Sequence, residues 1–164
     1  KYYKIKNIFV RQLRKLPIDC IIENKEDAGM QNIKDIIQEA KGVAVFLHGQ
    51  KIIFPRESES FRTIFSAWNN MTAGANQMPA FGVSLDELTR QKLSEGLWVE
   101  FYFEKGCFCA EMPFDRLLIE VVDTFRGFNL IRHTEGKYQG RCFYLDLAGK
   151  DMSGFAEVLH AIAG

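Results

Sequence analysis

With 164 residues, 47% of them hydrophobic, and 21 basic side chains against 21 acidic, the chain has the make-up of one globular domain. Such a domain can bury roughly 70% of the surface its unfolded form exposes. No apolar run approaches the ~20 residues a membrane helix needs, and balanced charge leaves no uniform basic footprint for nucleic acid.

Four cysteines, Cys20, Cys107, Cys109 and Cys142, are too sparse for a disulfide framework. They contain one close pair where structural zinc usually draws on two, so no metal and no other cofactor is expected.

Charge is uneven along the chain. Lys1, Lys4, Lys6, Arg11, Arg14 and Lys15 fall within residues 1–16, which hold no acidic side chain, and the remainder carries an acidic excess. Ile5, Ile8, Phe9, Leu13 and Leu16 repeat at helical spacing and stop before Pro17. Residues 1–16 therefore read as a basic amphipathic segment: a packed helix with solvated lysines, a surface helix held to anionic lipid, or a juxtamembrane remnant. The first residue is Lys rather than Met. Truncation before Lys1 would make an exported or membrane-anchored protein conceivable, and otherwise the composition favours the cytoplasm.

Residues 17–164 read as a single α+β domain. A short strand is expected over residues 18–23, then a helix capped by Asp27 that runs through Ile33, Ile36 and Ile37 and stops at Gly42. Residues 43–47 and 51–54 flank His48-Gly49-Gln50 as a hairpin. Phe61, Ile64, Phe65, Trp68 and Met71 form an apolar stripe that needs a sheet to bury it. Residues 69–83, rich in Asn, Gly and Gln, read as a long irregular connection in which Asn69, Asn70, Asn76 and Gln77 are candidate ligand contacts; equally, they satisfy loop backbone.

Ser84 and Glu87 fit a capping box, which starts a helix ending near Gly96. Residues 97–104 alternate cleanly, Leu97, Val99, Phe101 and Phe103 against Trp98, Glu100, Tyr102 and Glu104. A turn at Lys105-Gly106 would pair them with residues 107–112, and Pro113 would break the ladder before residues 116–122. Residues 128–147 read as a hairpin turning at Glu135-Gly136, with His133 opposite Tyr138 and Phe128 opposite Phe143. A last helix covers residues 152–162, capped by Asp151 or Ser153. The fold class is α+β: a two-layer, mainly antiparallel β-sheet with one face covered by amphipathic helices.

Linear motifs for phosphate loops, dinucleotides, zinc proteases and calcium loops are absent. Gly82-Val83-Ser84-Leu85-Asp86 lacks the second glycine of a nucleophile elbow. What remains is the polar side of the sheet. Trp98, Tyr102, Ile131, His133, Tyr138 and Tyr144 would offer a mixed aromatic and polar face to a protein or peptide partner, making the chain a small non-catalytic binding or accessory domain. The plainer account is ordinary cross-strand pairing on a solvated face. Alternatives are an enzyme using His133 as general acid or base, oriented by Glu120 or Asp146, and a membrane-proximal accessory domain that meets a membrane surface through residues 1–16.

Overall fold

The computed structural model of the chain describes residues 32–81 and 86–164. The expected strand over residues 18–23, the helix over 5–16 and the caps at Asp27 and Ser84 lie outside them. The described residues belong to one unit spanning Gln31–Gly164.

Its framework is an eight-stranded antiparallel sheet: β1 (Gly42–Leu47), β2 (Gln50–Pro55), β3 (Asn76–Phe81), β4 (Leu97–Cys109), β5 (Met112–Val121), β6 (Gly127–Thr134), β7 (Lys137–Tyr138) and β8 (Cys142–Asp146). The strand order is β2-β1-β4-β5-β6-β8-β3, with β7 paired to β6 alone. Four described helices join them: α1 (Ile33–Ile37), α2 (Glu59–Thr72), α3 (Asp86–Lys92) and α4 (Ser153–Ala163).

The alternation read in residues 97–104 decides the layering. Val99 and Phe101 point to a core that they share with Val43, Val45, Leu117, Ile119, Leu130 and Leu145, and the buried stripes of α1, α2 and α4 close it. Trp68 of α2 sits at the centre, its ring 4.9 Å from Phe101, 5.6 Å from Phe128 and 5.9 Å from Phe155. Each large side chain so buried contributes about 1.5–3 kcal/mol. Ser58 starts α2 by accepting the Phe61 N–H on its hydroxyl at 3.1 Å, and Asp151 accepts from the N–H and hydroxyl of Ser153 beside the start of α4.

The opposite face is partly closed by a smaller cluster of Ala44, Phe46, Trp98, Leu118 and Tyr138, against which Leu93 and Ile131 pack. Here α3 attaches. Asp86 accepts the Tyr138 backbone N–H at 2.7 Å, and Arg90 donates to the Gly136 carbonyl at 2.9 Å and lies over the Tyr138 ring. With Thr89 as its buried residue, α3 has too little apolar surface for the main layer.

Several expectations need correction. Among the described residues, the helix before β1 is the short segment Ile33–Ile37 capped by Asn32, whose side chain accepts from the Lys34 N–H, and Gly42 is the first residue of β1 rather than a helix stop. The β1–β2 turn is two residues, His48 and Gly49, both at positive φ, and Gln50 already belongs to β2. The strand at 97–104 continues to Cys109, turns at Ala110-Glu111 and returns with Pro113 inside β5, opposite Phe108. Pro113 keeps its carbonyl in use by accepting from Arg132 at 2.8 Å.

Residues 69–72 complete α2 and residues 76–81 form the edge strand β3 on β8, so no long irregular connection exists there. In the 128–147 hairpin, His133 does face Tyr138, but Phe128 faces Leu145. Gln139, Gly140 and Arg141 leave the ladder between β7 and β8, and the resulting slip of two residues keeps every side chain on its face.

Candidate functional site: a groove on the second sheet face

The register lays three rows across the second face. Tyr102 sits between Gly42 and Arg116, and Arg116 faces His133. Ala44 sits between Ile53 and Glu100, with Leu118 and Ile131 beyond. Phe46 sits between Lys51 and Trp98, and Trp98 faces Glu120.

Ala44 is short where its neighbours are long. The gap above it is an open groove of about 500 Å³ walled by Lys51, Ile53, Glu100, Tyr102 and Arg116. Gly42 keeps one wall in place, because a Cβ there would come within 2.0 Å of the Tyr102 hydroxyl, so the ring lies flat over the glycine.

A break in alternation delivers the charges. Phe114 and Leu117 are both in the main core although three positions apart, and the β4–β5 register slips between Tyr102 and Cys107. Two consecutive residues, Asp115 and Arg116, therefore both line the groove. Re-aiming a side chain in this way is what a β-bulge does.

Glu100 is 1% exposed at the groove floor. Tyr138 donates its hydroxyl to one carboxylate oxygen at 2.9 Å, and Lys51 Nζ lies 3.4 Å from the other. Arg116 Nη1 stands 3.9 Å from that second oxygen. Burial, then the carboxylate of Glu100, pushes the Tyr138 phenol well above the usual tyrosine range. Burial likewise raises Tyr102, with Glu57 adding to it. Behind the wall, His133 is buried with Nδ1 2.6 Å from Oδ1 of Asp115, so Nδ1–H donates to the carboxylate, and its ring meets Tyr138 edge-on at 5.1 Å. At the far side of Tyr138, the Arg90 guanidinium and the Tyr138 N–H hold the Asp86 carboxyl below the usual aspartate range.

The residues singled out in the sequence divide into groups. Tyr102 lines the groove, and His133 reaches it through Asp115. Trp98 and Tyr138 are buried in the small cluster, Trp98 donating its indole N–H to the Glu95 carbonyl at 2.8 Å, and half-buried Ile131 packs there too. Tyr144 and Asp146 line a separate hollow with Phe125 and Gly127.

Neither expected orienting carboxylate is near His133. Glu120 is four residues along β5 from the partner Arg116, roughly 13 Å, and Asp146 faces Gly127, six residues along β6 from His133, roughly 20 Å. Asp115 takes their place, and Asp146 instead accepts the Ala148 N–H at 2.7 Å.

The four candidate ligand contacts are dispersed. Asn69 accepts from Gln38, and Asn70 lines a shallow hollow against α4. Asn76 is exposed on β3, while Gln77 accepts the Ile33 N–H at 2.7 Å and so ties α1 to the sheet edge.

Sequence reasoning passed over Ala44, Lys51, Ile53, Asp115 and Arg116. One signal was present, the apolar spacing of three between Phe114 and Leu117 that splits an otherwise two-residue rhythm.

Among the described residues no three His, Cys, Asp or Glu side chains are grouped to hold a metal ion, and no helix is long and apolar enough to cross a membrane. Burial raises the thiols of Cys109 and Cys142, the opposite of what a reactive cysteine needs. No protein-family model, no curated protein and no solved structure matches the chain. The class is therefore defined by fold and site together: an α+β domain with helices on one face of an antiparallel sheet and a polar groove on the other.

Proposed function

We propose that the chain is a small non-catalytic binding domain that docks a protein or peptide partner in the groove over Ala44. The observation that carries this reading is the position of Ile53. It is 56% exposed, the most exposed large apolar residue described, and it stands on β2 at the end of the strand order beside the groove's charged side chains. An edge strand offers a row of backbone N–H and C=O groups to an extended peptide, and an adjoining hollow can sort its side chains. Tyr102 adds an aromatic wall of the kind that interfaces favour.

The test is selection of displayed random peptides on immobilised protein. Wild type should enrich a family of sequences, and Ile53→Asp should lose that enrichment while retaining the native circular dichroism spectrum. Equal enrichment on Ile53→Asp would place the binding elsewhere.

A second reading, catalysis with His133 as general base, draws on the 2.6 Å contact with Asp115, since a carboxylate that fixes an imidazole tautomer is a recurring catalytic arrangement. The lining residues include no serine, threonine or cysteine for the imidazole to activate, so in this reading the base would act on water. A hydrolytic activity lost in both His133→Ala and Asp115→Asn would favour it over docking.

A further inference from the structure

We infer that α3 is a hinged cover: residues 86–95 lift from the second sheet face as a unit while the rest of the domain stays folded, and Tyr138 carries that opening to the groove floor. A cover of this kind controls access to the aromatic cluster whatever occupies the groove, and so goes beyond the docking reading.

Helices stay on a sheet by the apolar surface they bury, and the helices of the two faces differ in this. On the main core α2 buries Phe61, Ile64, Trp68 and Met71, and α4 buries Phe155, Ala156 and Leu159. In α3 the buried residue is Thr89, while Leu88 is turned to water at 48% exposure. Half-buried Leu93, just past the helix, packs against the second cluster. The other ties of α3 to β7 and its turn are polar. Asp86 accepts the Tyr138 N–H at 2.7 Å and Arg90 donates to the Gly136 carbonyl at 2.9 Å, from side chains 33% and 51% exposed. Water replaces such bonds at little cost. Their anchor is slight as well, since β7 is two residues long and pairs with β6 alone. A region with few buried apolar contacts and exposed hydrogen bonds opens well before the whole domain unfolds.

What the segment covers is aromatic. The Glu95 carbonyl accepts the Trp98 indole N–H at 2.8 Å, and Trp98 and Tyr138 are buried with the cover down. Gly96 follows at φ 66° with open space about it, which suits a pivot. Tyr138 joins the cover to the groove: its N–H holds Asp86, its ring lies under Arg90, and its hydroxyl holds Glu100 at 2.9 Å. Freeing Asp86 and Arg90 therefore loosens the residue that fixes the groove floor.

Native-state hydrogen exchange on the full chain, followed by NMR in rising sub-denaturing urea, tests this. The Trp98 indole N–H and the Leu93 and Tyr138 amides should share one opening, at least about tenfold more frequent than that of the core Phe101 amide. Urea should scarcely affect it, because lifting one short segment exposes little surface. Asp86→Ala should make this opening roughly tenfold more frequent and shift the Ala44 methyl resonance. Ile64→Val, which weakens the main core beneath α2, should speed Phe101 exchange severalfold and leave the Trp98 indole rate unchanged, since the open form keeps that core. If Asp86→Ala folds poorly, Arg90→Gln removes the exposed tie to Gly136 and should give the same rise on a smaller scale.

A Trp98 indole N–H that exchanges with Phe101, with the same steep urea dependence, would overturn the cover, and so would an Ile64→Val substitution that speeds both alike. An indole rate unmoved in Asp86→Ala and Arg90→Gln would overturn the role of these ties. An Ala44 methyl unmoved in Asp86→Ala would overturn the link to the groove.

Discussion

At Glu100 a carboxylate is almost wholly withdrawn from water and held by one phenol and one ammonium. Truncating one partner of such a group costs more than the pair contributes, because the survivor stays buried without its bond. Tyr138→Phe, which leaves the buried carboxylate short of one bond, should therefore lower the unfolding free energy by about 1.5–3 kcal/mol, and Glu100→Ala, which strands the Tyr138 hydroxyl but leaves Lys51 and Arg116 partly in water, by about 1–3 kcal/mol, in urea titrations. Equal, small losses in both would mean that the groove floor is wetter than its burial implies. The Tyr138 phenol adds a pH signature. Since it titrates above the unfolded tyrosine, its contribution is intact below about pH 10 and declines as pH rises past that, the unfolded chain giving up its proton first. Thermal melts through that range should show a decline that Tyr138→Phe flattens. At Gly42, the added methyl of Gly42→Ala must push the Tyr102 ring out of place, at a cost of about 1–3 kcal/mol for overpacking. Tyr102→Ala should recover part of that loss in a double-mutant cycle, and strict additivity would rule out the clash.

Between β4 and β5, Ala110 and Glu111 hold φ at 47° and 62°, a conformation that glycine and asparagine adopt at little cost and alanine and glutamate do not. Replacing the pair with Asn-Gly should raise stability by roughly 0.5–1 kcal/mol, read as a higher melting temperature; a lower one would show that this turn is held by contacts of its own side chains. The same two residues explain why the hairpin was misread. Lys105-Gly106 offers the glycine that marks a turn, whereas the actual turn carries no local signal and is imposed by the pairing of Cys109 with Met112. The Glu135-Gly136 turn, with glycine at φ 79°, was legible because its local preference and its tertiary role agree. Residues 76–81 failed for the reverse reason: Asn76, Gln77 and Pro79 are poor strand formers, and β3 exists because β8 offers it a partner at the sheet edge, where proline is tolerated.

Across the whole molecule, the side of the sheet that packs against α1, α2 and α4 was readable from periodicity alone. Phe101, Leu117, Leu130 and the Trp68 stripe each carry the rhythm of the element they belong to. The groove was not, because it is made where rhythms fail. Ala44 leaves a gap in a strand of large residues, the slip after Phe114 turns Asp115 and Arg116 the same way, and the cross-strand register decides that Lys51 meets Glu100, 49 positions away. Sequence reasoning therefore picked out the sheet face that carries the groove and some of the residues around it, Tyr102 and His133 among them, while a second small core absorbed Trp98 and Tyr138.

The central claim is that this face, and not the helical layer, receives the partner. Intermolecular NOEs between a selected peptide and the methyl groups of the ¹³C-labelled protein test it most directly. The account predicts contacts to the Ala44 and Ile53 methyls that disappear in Ile53→Asp. Contacts to the Val158 and Ile162 methyls of α4, with Ala44 and Ile53 unperturbed, would contradict it.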